Sequence, residues 1–209
     1  MGAKGEQTRE HILATAESLI LQRGYVGTSI EEIIGEAGIT KGGFFYHFGG
    51  KSDLAHKLIV RFLEQDELFF RGLISRSEEL SEDPLQRFLI FLKLVAEAMS
   101  DLPGTHPGCL VAAFTYESHQ FDADIRQLNA EGMLSWRRIF LEQLEKIVDQ
   151  RPMKHDKPLD ELADMLTSVL EGGMVMSKCL DDKDILPKQV LQFRNYVRLL
   201  FGDVEQAQI

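Results

Sequence analysis

The sequence predicts an all-α protein of about nine helices, and three observations carry that prediction. Apolar residues recur at steps of three and four along almost the whole chain. No segment shows the period-2 alternation of a half-buried strand closed by hairpin turns. The breaks between periodic stretches are explicit glycine, proline and aspartate signals. With 209 residues, 44% hydrophobic and 27% charged, the chain holds enough apolar material for a core, and neither a disordered tail nor a collagen-like fibre fits.

The first helix carries Ile12, Ala16, Leu19 and Ile20 on one face and stops at Gly24. Thr28 followed by Glu31 reads as a capping box, opening a short helix with Ile30, Ile33, Ile34 and Ala37 that Gly38 ends. A third short helix fits Thr40 to His47 and is broken by Gly49-Gly50. A fourth starts near Lys51 and runs through Leu54, Leu58, Ile59 and Phe62 to about Leu73. Asp83, Pro84 and Gln86 supply an N-cap, a proline at the first helical position and an N3 partner for a helix to about Ser100. Residues 101–108, with Pro103, Gly104, Pro107 and Gly108, are the clearest loop. A short apolar helix follows from Cys109 to about Glu117, and Asp122 caps a long one to about Asp149. Gln150 to Lys157 reads as a linker, and the last helices fit Pro158 to about Leu180 and Pro187 to about Phe201.

Whole-chain charge argues against an acidic partner. There are 23 Lys+Arg against 33 Asp+Glu, a net of −10, with pI near 5.1. The distribution argues otherwise. Residues 1–51 hold five Lys/Arg and six Asp/Glu, whereas 52–209 hold 18 and 27. From Ala37 to Arg61 there are four cations (Lys41, Lys51, Lys57, Arg61) and one acid, Asp53. The acids of residues 1–51 fall mainly on the first two helices, away from this segment. Two cysteines form no disulfide framework, the first ten residues are polar, and no apolar run approaches a membrane span of roughly 18 residues. A cytoplasmic protein is the expectation.

Two short helices joined by a glycine turn, residues 28–47, form a helix-turn-helix whose second helix can lie in a DNA major groove. Gly42 and Gly43 are costly inside a helix, up to roughly 1 kcal/mol each against Ala. Either they let the helix N-terminus approach DNA closely, or they are first-turn glycines without meaning. The run Phe44-Phe45-Tyr46-His47-Phe48, taken alone, is more often core than contact, though Tyr46 and His47 carry donors suited to phosphate oxygens.

The pattern Ile12-Leu13, Ala16, Gly24-Tyr25, Thr28-Ser29-Ile30, Ile33, Ala37-Gly38, Thr40-Lys41-Gly42, Tyr46-His47-Phe48 and Lys51 resembles the N-terminal domain of TetR-family transcriptional repressors, from about Thr8 to Leu54. The resemblance implies a DNA-binding domain over 1–51, with a helix from about 51 linking to a ligand-binding and dimerisation domain over 52–209. By position it implies that Thr28 presents its hydroxyl or N–H to a phosphate. Thr40, Lys41, Gly42 and Gly43 would face base edges, Tyr46 and His47 the phosphate backbone, and Lys51 another phosphate. Phe45 stands where the family commonly has tyrosine, which leaves an apolar contact such as a thymine methyl.

For the larger part the resemblance implies a small-molecule effector and a two-fold dimer reading a pseudo-palindromic operator. Effector binding would change the separation of the two recognition helices. Aromatic and thioether side chains suit a lipophilic or planar effector as well as a plain core: Phe62, Phe88, Phe91, Val95, Met99, Phe114, Trp136, Phe140, Met174 and Met176. Cys109, Tyr116, Glu117, His119 and Arg137 are the polar groups able to orient it, with Cys109 open between a sensing thiol and an inert core residue. The implied dimer contacts on the last two helices are Leu166, Leu170, Gly173, Val190, Phe193, Val197 and Leu200. Against an enzyme stands the absence of a phosphate-binding glycine loop, a His-Glu-x-x-His cluster and a nucleophile elbow. No catalytic residue, metal or cofactor is therefore expected. A helical interaction module that has lost DNA binding is the remaining alternative.

Overall fold

The computed structural model describes residues 2–154 and 157–202, and among them there are nine α-helices, one 3-10 turn and no strand. The helices are α1 (Ala3–Arg23), α2 (Ile30–Ala37), α3 (Lys41–His47), α4 (Lys51–Leu80), α5 (Pro84–Ser100), α6 (Leu110–Tyr116), α7 (Ala123–Val148), α8 (Leu159–Leu180) and α9 (Ile185–Phe201), with the 3-10 turn at Ser118–Gln120. The all-α expectation is met. Part of the expected 150–157 linker, residues 155 and 156, lies outside the described residues.

Packing gathers the chain into two compact units. One comprises the chain up to Gln65 together with Pro107–Gly132; the other comprises Asp66–His106 together with the chain from Met133 onward. Both α4 and α7 therefore change unit part-way along.

In the first unit α1 contributes Ile12, Leu13, Ala16, Leu19 and Ile20 to the core, the i, i+4, i+7 face its sequence marks. Helix α1 packs on α2, and Ile33 and Ala37 of α2, Phe44 of α3, Phe48, and Leu54, Ala55, Leu58 and Ile59 of α4 are buried in the same unit. Arg61 of α4 pairs with both Glu10 and Glu17 of α1. Asn129 of α7 donates to the Val111 carbonyl at 3.1 Å and to Thr115 Oγ1 at 2.9 Å, joining α7 to α6. Gly132 is glycine for a steric reason: a Cβ there would stand 2.9 Å from Leu63 Cδ2 and 3.0 Å from Val111 Cγ2.

In the second unit α9 packs against both α5 and α8. Leu85, Phe88, Leu89, Phe91, Leu92 and Val95 of α5 are buried, as are Val190, Phe193, Val197 and Leu200 of α9. Arg194 Nε donates to the Leu89 carbonyl at 2.9 Å across the α5–α9 pair. Phe70 is the centre of an aromatic cluster, with ring centroids 6.2 Å from Phe91, 5.5 Å from Trp136 and 5.2 Å from Phe140. Trp136 Nε1 is satisfied by Asp66 Oδ2 at 3.0 Å.

Two local expectations need correction, and a third set of residues is placed inside the chain. The N-cap of α2 is Ser29, whose box closes with Glu32 rather than Glu31. Helix α4 continues to Leu80, because Phe70, Ile74 and Ser77 carry its buried stripe past Leu73. All seven residues expected at a dimer interface are buried within the single chain, where α8 and α9 pack on each other and α9 on α5.

Candidate nucleic-acid interface

Helix α3 is short and firmly ended. Thr40 caps it, its hydroxyl oxygen accepting from Gly43 N at 3.1 Å, and Phe48 N closes it on the Phe44 carbonyl at 3.0 Å. Gly38 makes the turn from α2 at φ 64°, a left-handed conformation that favours glycine. The aromatic run then divides by helical phase. Phe44, His47 and Phe48 turn inward, while Phe45 is 47% and Tyr46 74% exposed. The outward face of α3 thus presents Lys41, Gly42, Phe45 and Tyr46 together, with Thr40 exposed at its start.

Gly42 has nothing within 4 Å of a built Cβ except Thr40 Oγ1 at 4.0 Å, so the fold itself has room for a side chain there. Gly43 is tighter, at 3.3 Å from the same oxygen.

Three residues expected to hold phosphates are placed differently. Thr28 is 1% exposed and its hydroxyl donates to the Gly24 carbonyl at 2.8 Å, so it tightens the α1–α2 turn instead of facing outward. His47 is nearly buried, and its Nδ1 has no hydrogen-bond partner. The Lys51 ammonium donates to the Tyr25 carbonyl and sits 4.2 Å from the Tyr25 ring centroid. Burial lowers its pKa from the ordinary lysine value, while Glu117 and Glu32 act to raise it.

The other cations of the segment are also engaged. Lys57 Nζ bonds Asp53 Oδ2 at 2.8 Å and the His47 carbonyl at 3.1 Å, and Arg61 is taken by Glu10 and Glu17. Burial pushes the Glu17 carboxyl above its ordinary value even though Arg61 opposes the shift. Lys41 has only a loose partner, Glu31 at 3.9 Å, both side chains being about three-quarters exposed. An acid of α2 therefore does reach the recognition segment, against expectation.

The residues expected around an effector divide between the two units. Phe62, Cys109, Tyr116 and His119 belong to the first unit, and Tyr116 is 79% exposed. Phe91, Val95, Met99, Trp136, Phe140 and Met174 belong to the second, where Phe91, Trp136 and Phe140 share the cluster around Phe70. Cys109 is buried, its Sγ accepting from Ala112 N at 3.5 Å as the cap of α6. Arg137 is paired with Asp164 at 2.5 Å. A cleft in the second unit, lined by Asp83, Leu85, Ile147, Gln150 and Arg151, has a volume of about 60 Å³. That is far below the roughly 300 Å³ of a small-molecule site. Among the described residues no group of His, Cys, Asp or Glu could hold a metal ion, and no helix is long and apolar enough to cross a membrane.

Comparison with known proteins agrees with this geometry. Residues 12–58 match the domain described as bacterial regulatory proteins, tetR family, and residues 84–192 the one described as tetracyclin repressor-like, C-terminal domain. The chain is 29% identical over 174 residues to the HTH-type transcriptional regulator LmrA of Bacillus subtilis, covering 81% of this chain and 86% of that one. To the HTH-type transcriptional repressor DhaR of a Mycobacterium it is 23% identical over 170 residues, with 81% and 82% covered. A TetR-family regulator from Agrobacterium tumefaciens superposes with a TM-score of 0.77 at 21% identity, over 95% of this chain and all of that one. The relatives are named as transcriptional regulators, and both an N-terminal and a C-terminal family domain match: the chain belongs to the TetR family of bacterial transcriptional regulators.

Proposed function

We propose that this protein is a ligand-responsive repressor that binds a pseudo-palindromic operator as a homodimer and is released by a small lipophilic or aromatic effector. The observation that carries the reading is the α3 face: Lys41, Gly42, Phe45 and Tyr46 lie outward on a capped helix held by a buried apolar reverse side. Lys41 reads a base edge or a phosphate, Phe45 offers an apolar contact, and Tyr46 offers a hydroxyl to the backbone. Thr40 and Gly43 stand at the helix start. Residues 1–51 do the reading, and 52–209 bind effector and partner subunit. The work is done where DNA is, in the cytoplasm.

Dimerisation is proposed on α8 and α9, one helical position away from the buried stripe. Met165, Val175, Met176, Leu180, Leu191, Tyr196 and Leu199 are large apolar side chains left exposed on these two helices. Repression as the mode of control is supported by the printed description of DhaR as a repressor. The effector is proposed to act on the Phe70, Phe91, Trp136 and Phe140 cluster, where it would replace part of the aromatic packing.

Selection of duplexes from a random library tests the reading directly. A recovered consensus with two-fold symmetry, bound by two chains, is the expected result. Recovery of no sequence, or of an asymmetric site bound by one chain, would remove the basis of the operator reading.

A further inference from the structure

Glu117 stands just after α6, inside the stretch that matches the C-terminal domain, yet packs with the helix-turn-helix. Its carboxylate makes a two-pronged contact across 92 residues of sequence. Oε1 accepts from the Tyr25 N–H and Oε2 from the Val26 N–H, each at 2.8 Å. These amides lie past the end of α1, where the helix has no further use for them. Charge-assisted bonds of this length are the strong kind.

The turn is shaped to receive that carboxylate. Gly24 has φ +80°, and a Cβ there would stand 2.5 Å from Glu117 Oε1. The Tyr25 ring beside it packs on Phe114 at 5.5 Å and on Phe121 at 4.6 Å, the residues flanking Glu117 on either side in the chain. Two further ties converge on the same turn, and α2 starts directly beyond it. The Thr28 hydroxyl closes on the Gly24 carbonyl. Lys51, at the start of α4, donates to the Tyr25 carbonyl. Ser29, one residue beyond, is the cap from which α2 departs. The direction of α2, and hence of α3 behind it, is thereby referred to the end of α6.

We propose that Glu117 is a positioning residue for DNA reading: by gripping the Tyr25 and Val26 amides it holds the 24–28 turn, and Lys51 with it, in the arrangement that presents α3. This rests on reading the first unit as DNA-binding. Two physical roles make opposite predictions. A bystander carboxylate near a DNA face repels phosphates, so removing it strengthens binding to every duplex. A positioning carboxylate, once removed, weakens binding to the preferred duplex and leaves the rest unchanged or slightly stronger.

The experiment uses the full-length protein, a duplex recovered by selection with the wild type, and a scrambled duplex of equal length. Glu117→Ala loses both acceptors. Glu117→Gln keeps one and turns an N–H toward the other amide. The expected result is a loss of tenfold or more on the selected duplex for Glu117→Ala, a smaller loss for Glu117→Gln, and no loss on the scrambled one. Equal changes on both duplexes, or a lower melting temperature with an unchanged selected-to-scrambled ratio, would overturn the proposal. Amide hydrogen exchange of the wild type gives a second reading that needs no variant. Val26 is 59% exposed, so its N–H should be protected only through Glu117. Exchange as fast as at the exposed Gly27 would refute the grip itself. A wild type that selects no duplex defeats the DNA-binding reading, whereas a wild type that selects one and variants that keep its ratio defeat the role of Glu117 alone.

Discussion

Replacing Gly42 by alanine separates what the fold needs from what a partner needs. Gly42 is the second residue of α3, in ordinary helical conformation, and its Cβ would touch nothing closer than Thr40 Oγ1 at 4.0 Å. Nothing internal opposes the methyl. Alanine should therefore stabilise α3, by up to about 1 kcal/mol at an interior position and by about half of that in the first turn. The same methyl projects from the exposed face. If that face closes on DNA to van der Waals contact, the added carbon overpacks the interface, at a cost of about 1–3 kcal/mol. Since about 1.4 kcal/mol is tenfold in affinity, binding should weaken between fivefold and a hundredfold or more. Thermal unfolding and fluorescence anisotropy on the selected duplex read the two effects separately. Melting unchanged or higher, with weakened binding, is the expected pair. A variant that binds as tightly as the wild type would refute close approach, and one that melts several degrees lower would refute the open space at Gly42. Gly43→Ala is the comparison, because its Cβ lies 3.3 Å from the capping oxygen and gains stability only if Thr40 can yield by a few tenths of an ångström.

Lys41→Ala should cost about 1–3 kcal/mol on the selected duplex if Lys41 reads a base, whereas equal weakening on scrambled DNA would identify a phosphate contact. Glu31→Gln removes the loose partner of Lys41 and should strengthen binding to both duplexes by a few-fold at low salt. Burial would raise the Asp53 carboxyl, but bonds from Lys57 and the Gly49 N–H outweigh it and hold the group below its ordinary 3.8. Its folded-state value lies under its unfolded one, so its contribution is present above that value and lost as pH falls through the folded one. Urea titrations should then show Asp53→Asn less stable than wild type by roughly 0.5–1 kcal/mol at pH 7, with the difference closing in acid. Gly173→Ala places a Cβ 2.7 Å from Leu186 Cδ1 and 3.2 Å from Leu186 Cα, while Gly172 has nothing within 4 Å. Gly173→Ala should lower the melting temperature of the chain, and a variant as stable as wild type would show that α8 and α9 can separate at that point.

Much of this was legible because helical periodicity and punctuation act over a few residues. The Asp83-Pro84 start and the glycine stops at 24 and 38 are local chemistry, and the structure has them where the sequence predicts them. The α2 cap was missed because two boxes overlap: Thr28 with Glu31 and Ser29 with Glu32 fit equally well. What decides is tertiary, since the Thr28 hydroxyl is drawn to the Gly24 carbonyl and Glu32 is left for Ser29. The expected dimer residues illustrate a related point. An apolar stripe on a helix states that it will be covered and not by what. Here α5 and α8 cover α9 inside one chain. Glu117 reads in sequence as a group able to orient an effector, and the only hint of its grip on the 24–28 turn is a glycine 93 positions earlier that has no room for a side chain.

Charge shows most plainly what a linear reading omits. Between Ala37 and Arg61 the chain carries four Lys/Arg and one acid, which reads as a positive patch. In space Arg61 faces Glu10 and Glu17, Lys57 faces Asp53, and Lys51 lies against Tyr25 in the field of Glu117. A cation held by a carboxylate releases little on meeting a phosphate, because its field is already answered. If all four cations neutralised phosphates, a dimer would engage eight, and log affinity would fall with log salt at a slope near −7. With Lys41 the main cation left to DNA, and backbone N–H groups and Tyr46 making neutral contacts, a dimer would neutralise about two phosphates and the slope should lie near −2. A measured slope as steep as −7 would mean that the ion pairs of α1 and α4 open on binding, and that this arrangement of cations belongs only to the free protein.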